Sequence, residues 1–408
     1  MARCPLLERI KGKIPRFEVK GRSLEGPSPP SVFVGRSGYP RITVGPLAPP
    51  VQIPLPWRLE SQAHLYDMNM EDIYSLRASL YRGRHQLNVK VAKSPLSPGS
   101  ERLVEIEPNL YPRERKILDS VKDVALSSRA MELEMNSEKD LSSYGTSSTM
   151  DSISMPMGPT IDLRGIRLVD NARVERAVDR ITGDTDLLAS EGALELHSSG
   201  IPISHIVRLL SVGLMGEDRN RKLVPTRWSI TAVDDLISKR LASGSMELAP
   251  LDHYRLYHGS RFGNHFLIAL YPPPYRFEML EQWKPGSLWG GGKVLFDHEG
   301  PRGRQKYASR ITGAYYAARL SAMEHLHRIR RSAGVSVIRW ITDDYWAPMG
   351  VWIIRETVKR ALEGEPMVFS DRRSLVERID RLSGIADWKR HSRHLSRPES
   401  RRIDDFLH

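Results

Sequence analysis

Cysteine is almost absent: Cys4 is the only one in 408 residues. A single thiol excludes an internal disulfide framework and cannot by itself complete a zinc site, so the fold must rest on packing. Long apolar runs are missing too. No stretch approaches the roughly eighteen residues that a membrane span requires, and the N-terminal segment mixes charge with proline instead of forming a signal-peptide core. A cytoplasmic protein with no membrane partner is expected. Acidic residues are the minority charge, 49 against 61 Lys and Arg, which leaves a net charge of +12.

That excess is uneven. Residues 291–408 hold 23 Lys and Arg against 15 Asp and Glu, so +8 of the +12 lies in this last part of the chain. A basic surface attracts polyanions, nucleic acid above all, because phosphates supply most non-specific affinity. Length and a hydrophobic content of 40% allow two moderate cores.

The densest group of functional side chains is Val224-Pro-Thr-Arg-Trp-Ser-Ile-Thr-Ala-Val-Asp-Asp235. It reads as a turn at Pro225, a short β-branched segment, then Thr231 capping a helix with Asp234 and Asp235 in its first turn. Before it, residues 1–30 form a basic, Pro-rich tail. Residues 32–34 and 41–44 form a hairpin, and residues 46–56 are extended and too proline-rich for a central strand. Residues 57–82 are helical in composition, and 86–91 form a strand. Serines and methionines without apolar period make residues 127–156 a mobile insertion. Three helices follow over 171–182, 187–197 and 203–214. Strands are expected at 255–257, 265–271, 294–297 and 335–341, and helices at 313–331, 351–362 and 374–382. The fold class is therefore α+β, or mixed α/β, with a large N-terminal domain of mixed sheet and helices and a smaller, basic helical α/β C-terminal domain.

Residues 290–293, Gly-Gly-Gly-Lys, lack the spacing of a phosphate-binding loop. His253, His258 and His265 are separated by five and seven positions, which fits no helical metal face. DNA contact is expected from Arg302, Arg304 and Lys306, alternating cations on a glycine-containing loop that can follow a phosphate backbone, with Tyr307 or Trp289 available for stacking. Arg227 and Trp228 are a second candidate pair, able to grip phosphate and stack a base; a core Trp228 and an Arg227 paired with Asp234 or Asp235 is the structural alternative.

The chain ends Ser400-Arg-Arg-Ile-Asp-Asp-Phe-Leu-His408. On one helical turn Ile403, Phe406 and Leu407 point the same way and make a plug for a partner's pocket. The pattern resembles the peptide by which repair and replication proteins bind the sliding clamp, PCNA, with Ser400 where Gln is usual. With this tail, the chain resembles the archaeal Nre family of DNA repair proteins. The resemblance rests on Val32-Phe-Val-Gly-Arg-Ser-Gly-Tyr-Pro40, Gly158-Pro159, Leu209-Leu-Ser-Val-Gly-Leu214, the 224–235 stretch, Ile311-Thr-Gly-Ala-Tyr-Tyr-Ala-Ala-Arg-Leu320 and Gly350-Val-Trp-Ile-Ile-Arg-Glu356. It implies an N-terminal domain over 31–290, a C-terminal domain over 291–393, a clamp-binding peptide over 394–408 and a role in repair of DNA damage. Many members carry an N-terminal cysteine cluster like a zinc knuckle; with Cys4 alone, the module is either lost or upstream, and no zinc is expected.

The resemblance assigns no reaction, and whether the chain is an enzyme stays open. A metal-dependent nuclease is the alternative, with Asp234, Asp235, Asp343 and Asp344 as candidate carboxylates. A divalent cation would enter only in that case, and no other cofactor is expected. A role in RNA processing would suit the charge but leaves the tail unexplained.

Overall fold

The computed structural model describes residues 19–50, 56–92, 110–144, 148, 150–285, 287 and 290–395. The chain folds as two compact units, Met1–Ile237 with Ala347–Gly350, and Ser238–Trp346 with Val351–His408. Each combines helices with a six-stranded sheet, the α+β class expected.

The first unit contains β1 (Ser23–Ser28), β2 (Val32–Val34), β3 (Arg41–Ala48), α1 (Gln62–Asp67), α2 (Met70–Ala78), β4 (Tyr81–Asn88), α3 (Pro112–Leu126), β5 (Met131–Ser137), β6 (Thr160–Leu168), α4 (Arg176–Gly183), α5 (Ala189–Ser198), α6 (Ile203–Ser211) and the start of α7 (Thr226–Ser245). Its strand order is β1-β5-β6-β4-β3-β2. The expected hairpin is present: β2 pairs antiparallel with β3, Val34 opposite Val44. Val32, Val34, Ile42 and Val44 alternate into the core, as the period of a strand with one buried face requires. β3 runs further than expected, through Gly45 and Pro46 to Ala48. Its pairing to β4 lapses at those two residues, so the missing Pro46 N–H breaks no bond on that side. Gly45 is required there, because a Cβ would stand 2.1 Å from the Gly83 carbonyl oxygen.

The insertion expected over 127–156 is instead ordered in part as β5, an interior strand between β1 and β6. Met131, Leu133, Met135 and Ser137 are buried, while Glu132, Glu134 and Asn136 between them are half-exposed. Period-two burial overrides the poor strand propensity of Met and Glu. The amphipathic helix α3 was not foreseen. Its Ile117, Leu118, Val121, Val124 and Ala125 recur at helical spacing and belong to the same apolar core as the sheet.

The stretch around Pro225 also differs from expectation. No strand precedes a cap at Thr231; α7 is one helix from Thr226. The Pro225 carbonyl accepts the amides of Trp228 (2.8 Å) and Ser229 (3.0 Å), so the turn at the proline is already the first helical turn. Thr231 sits inside the helix, with its hydroxyl folded back to the Arg227 carbonyl at 3.4 Å.

The second unit carries β7 (Ala249–Pro250), β8 (Tyr254–Arg261), β9 (Asn264–Tyr271), β10 (Phe277–Trp283), β11 (Val294–Glu299), α8 (Gly313–Ile329), β12 (Arg331–Ser332), β13 (Gly334–Ile341), α9 (Trp352–Glu363), β14 (Met367–Phe369), α10 (Arg372–Leu382) and α11 (Trp388–His391). Its sheet is ordered β11-β10-β13-β9-β8-β14, and every residue of the interior strand β13 is buried. β10 and β13 run parallel while the other neighbours are antiparallel, which makes the sheet mixed. Leu256, Leu267, Ala269, Leu280, Ile338 and Trp340 form one core with Leu375, Ile379 and Trp388 of α10 and α11. The boundary drawn from sequence at 290–291 falls inside this sheet, between the hydrogen-bonded neighbours β10 and β11. β7 and β12 make a separate two-residue parallel pair. Among the described residues, no helix is long and apolar enough to cross a membrane.

Candidate nucleic-acid interface

In β11, Asp297 and Glu299 are two residues apart and both buried. Two buried carboxylates are tolerable only if paired and hydrogen-bonded, and both are. Glu299 Oε2 accepts from Arg319 Nη1 of α8 at 2.7 Å, and its other oxygen accepts the Tyr275 hydroxyl. Asp297 Oδ1 accepts from Arg304 Nη2 at 2.9 Å, and Oδ2 accepts the amides of Arg310 (3.1 Å) and Ile311 (2.9 Å). The loop from residue 300 to the start of α8 is thereby fastened to the sheet from beneath.

That grip also maintains an unfavourable backbone. Thr312, the N-cap of α8, has φ 61° and ψ −135°, a conformation that costs a residue with a Cβ roughly 1–3 kcal/mol. Its amide donates to the Ala308 carbonyl at 2.7 Å, and the neighbouring amides are held by Asp297.

The outer side of the loop carries the charge. Arg302, Lys306 and Arg310 are exposed, and Tyr307, 50% exposed, stacks on Tyr316 with centroids 5.5 Å apart. The Arg310 guanidinium lies over the Phe296 ring at 4.5 Å. Of the three loop cations expected to meet DNA, Arg302 and Lys306 thus face solvent. Arg304 turns inward, spending its donors on Asp297 and on the carbonyls of His298, Lys306 and Tyr307. Arg310 and Asp297 were missed as parts of this surface; Asp297, taken as a strand end, was the available signal, since an acid that alternates into a core needs basic partners.

In the first unit, the start of α7 meets the outer edge of β2. Thr226 Oγ1 accepts the Val34 amide at 2.9 Å, filling a position the three-residue edge strand would otherwise leave open. Arg227 forms an ion pair with Asp151, not with Asp234 or Asp235. Asp151 also accepts the amides of Ile153 (2.7 Å) and Ser154 (3.3 Å), so this residue of the supposed insertion organises its own turn. Trp228 is not in the core: it is 45% exposed and tilted 47° against Tyr39, 5.6 Å between centroids.

The candidate carboxylates occupy contrasting settings. Asp234 is fully buried and Asp235 half-buried on α7, whereas Asp343 and Asp344 are exposed just after β13, with Asp344 accepting the Thr342 hydroxyl at 3.2 Å. Among the described residues, no group of three or more His, Cys, Asp or Glu is arranged to hold a metal ion. His265 lies flat on Trp340, 5.2 Å between centroids, and burial lowers its pKa. Cys4, Trp289 and the tail residues Ser400, Ile403, Phe406 and Leu407 lie outside the described residues.

A family match spans both units. Residues 1–290 match the model for archaeal Nre, N-terminal, and residues 299–406 that for archaeal Nre, C-terminal; the chain belongs to the archaeal Nre family. Among curated relatives it is 31% identical over 394 residues to the DNA repair protein NreA of Archaeoglobus fulgidus, covering 95% of this chain and 92% of the relative. It is 33% identical to the DNA repair protein NreA of Haloferax volcanii, over 88% of this chain and 83% of that one. The DNA repair protein NreB of Archaeoglobus fulgidus is 31% identical, over 99% of this chain and 96% of its own length. No solved structure matches the chain.

Proposed function

We propose that this chain acts in DNA repair in the cytoplasm, recruited to damaged or replicating DNA by the sliding clamp PCNA and touching the DNA through a basic surface. Relatives named as DNA repair proteins at this coverage support the pathway. The observation that carries DNA contact is the loop of the second unit, where Arg302, Lys306 and Arg310 face outward around an exposed, stacked Tyr307. Cations on a loop fastened from beneath can meet a phosphate backbone without reading its sequence. Trp228 of the first unit is kept in this reading as a stacking residue; Arg227 and Arg304 are each engaged by a carboxylate of their own unit, Asp151 and Asp297. Clamp recruitment rests on Ser400, Ile403, Phe406 and Leu407 in sequence.

The nuclease alternative finds no support in the carboxylates, since Asp234 is buried and no metal-binding group is present among the described residues. Calorimetry of the full chain against its own sliding clamp tests recruitment. Affinity of about micromolar order, lost in Phe406→Ala and in Leu407→Ala, is the expected result. Absence of heat, or equal binding by both variants, would remove the clamp from the scheme.

A further inference from the structure

The Tyr39 and Trp228 rings belong to the first unit, and their chemistry differs from that of the basic loop. We infer that they form a stacking platform for unpaired bases of single-stranded DNA, with Arg36 and Arg41 as its phosphate contacts. The inference rests on the DNA-binding reading above and adds the strandedness of the ligand and a site in the first unit.

Both rings are mounted on fixed backbone. Trp228 belongs to the first turn of α7, which is tied to the β2 edge through Thr226 and to the 151–154 turn through the Arg227–Asp151 ion pair. Tyr39 belongs to the β2–β3 loop, where two glycines set the path. A Cβ on Gly35 would stand 2.4 Å from Thr43 Oγ1, and Gly38 has φ +83° and accepts the Arg41 amide at 2.9 Å. Held this way, the rings meet at a 47° tilt and leave about half of each surface in solvent, 50% for Tyr39 and 45% for Trp228. Among the described tryptophans with placed side chains, Trp228 is the one that is exposed.

The surroundings select the ligand. Arg36 in that loop and Arg41 at the start of β3 are exposed and, among the described residues, neither forms an ion pair. No Leu, Ile, Val or Met occurs in residues 35–41 or 226–229 to extend the rings into the apolar patch that a protein partner would use. Exposed aromatic faces with exposed guanidinium groups on neighbouring residues of the chain suit a strand whose base faces are open and whose phosphates lie alongside; in a duplex those faces are covered.

The test is fluorescence anisotropy of the full chain with a labelled oligo(dT), a duplex of equal length and the matching oligo(rU). Trp228→Ala and Tyr39→Ala are expected each to weaken oligo(dT) binding about tenfold while changing duplex binding far less, with Trp228→Phe recovering most of the loss. Arg36→Gln should weaken oligo(dT) binding and make it less dependent on salt. Unchanged oligo(dT) affinity in alanine variants that melt like the wild type would overturn the platform, as would an equal loss on duplex or stronger binding of oligo(rU). A wild-type chain that binds duplex but not oligo(dT) overturns the platform alone; one that binds neither overturns the DNA reading with it.

Discussion

Arg304 Nη2 lies 2.9 Å from the buried Asp297 Oδ1, so the middle cation of the 302–306 trio is committed to the protein while its two neighbours are not. Substitutions along one short loop should therefore separate into two kinds. Arg302→Gln and Lys306→Gln should each lower the slope of log affinity against log salt for duplex DNA by about 0.9, one phosphate contact apiece, with the melting temperature unchanged. Arg304→Gln should instead cost about 2 kcal/mol of stability, the scale of a charged hydrogen bond lost to a buried acceptor. Anisotropy at three salt concentrations, beside denaturant melts, would show whether the trio divides this way.

Glu299 and Arg319 form a deeply buried ion pair in the second unit, with side chains 1% and 0% exposed. Glu299→Gln should destabilise the chain by about 2–3 kcal/mol, because a neutral amide replaces the carboxylate to which the buried Arg319 Nη1 donates at 2.7 Å. The double variant Glu299→Gln with Arg319→Met should recover part of that loss, because the charge that faces Glu299 is removed along with the carboxylate. A double variant no more stable than Glu299→Gln alone would mean that the damage is to packing and not to charge.

Much of the second unit was legible because its elements carry one clear period each. β9, β13 and α9 lie within a few residues of their expected places, as do α8 and α10, since a run such as Val335-Ser-Val-Ile-Arg-Trp-Ile341 has strand composition throughout. The first unit was harder. β5 is written in Met and Glu, and only its neighbours β1 and β6 make it a strand. At the candidate site the charge count pointed to the 300–306 loop but could not tell Arg304 from Arg302. That difference depends on Asp297, which approaches from the adjoining strand and was read only as the end of that strand.

His205 supplies a pH dependence. It is 3% exposed on α6, and burial, with the nearby Arg208 charge, pushes its pKa from 6.5 to about 3. In the unfolded chain the same imidazole takes a proton near its ordinary value, so below about pH 6.5 the unfolded state binds more protons and stability falls as pH falls. The expected slope is about 1.4 kcal/mol per pH unit for this group between pH 6 and 4. His325 of α8, lowered to about 4, adds the same sign in the second unit. His205→Gln should flatten its share of the slope in urea melts between pH 7 and 4.5; an unchanged slope would mean that this histidine is protonated in the folded chain.

The Arg227–Asp151 pair decides whether Arg227 belongs to the DNA surface or to the scaffold beneath it. Its two side chains are 24% and 23% exposed, so the interaction is only partly screened by solvent. A double-mutant cycle with Arg227→Ala and Asp151→Ala should give a coupling of about 1 kcal/mol, between the values for exposed and for buried pairs. Asp151→Ala should also loosen the 151–154 turn, whose amides at Ile153 and Ser154 it accepts, and so cost more than Arg227→Ala. If Arg227 is structural, Arg227→Ala lowers the melting temperature and leaves the salt slope of DNA binding as in the wild type. If it reaches phosphate despite the pairing, the slope drops by about 0.9 and Asp151→Ala, by releasing the guanidinium, strengthens binding. The observed ion pair supports the first outcome, and the response to Asp151→Ala is the measurement that separates the two, because removing an acid from a purely structural pair has no reason to tighten DNA.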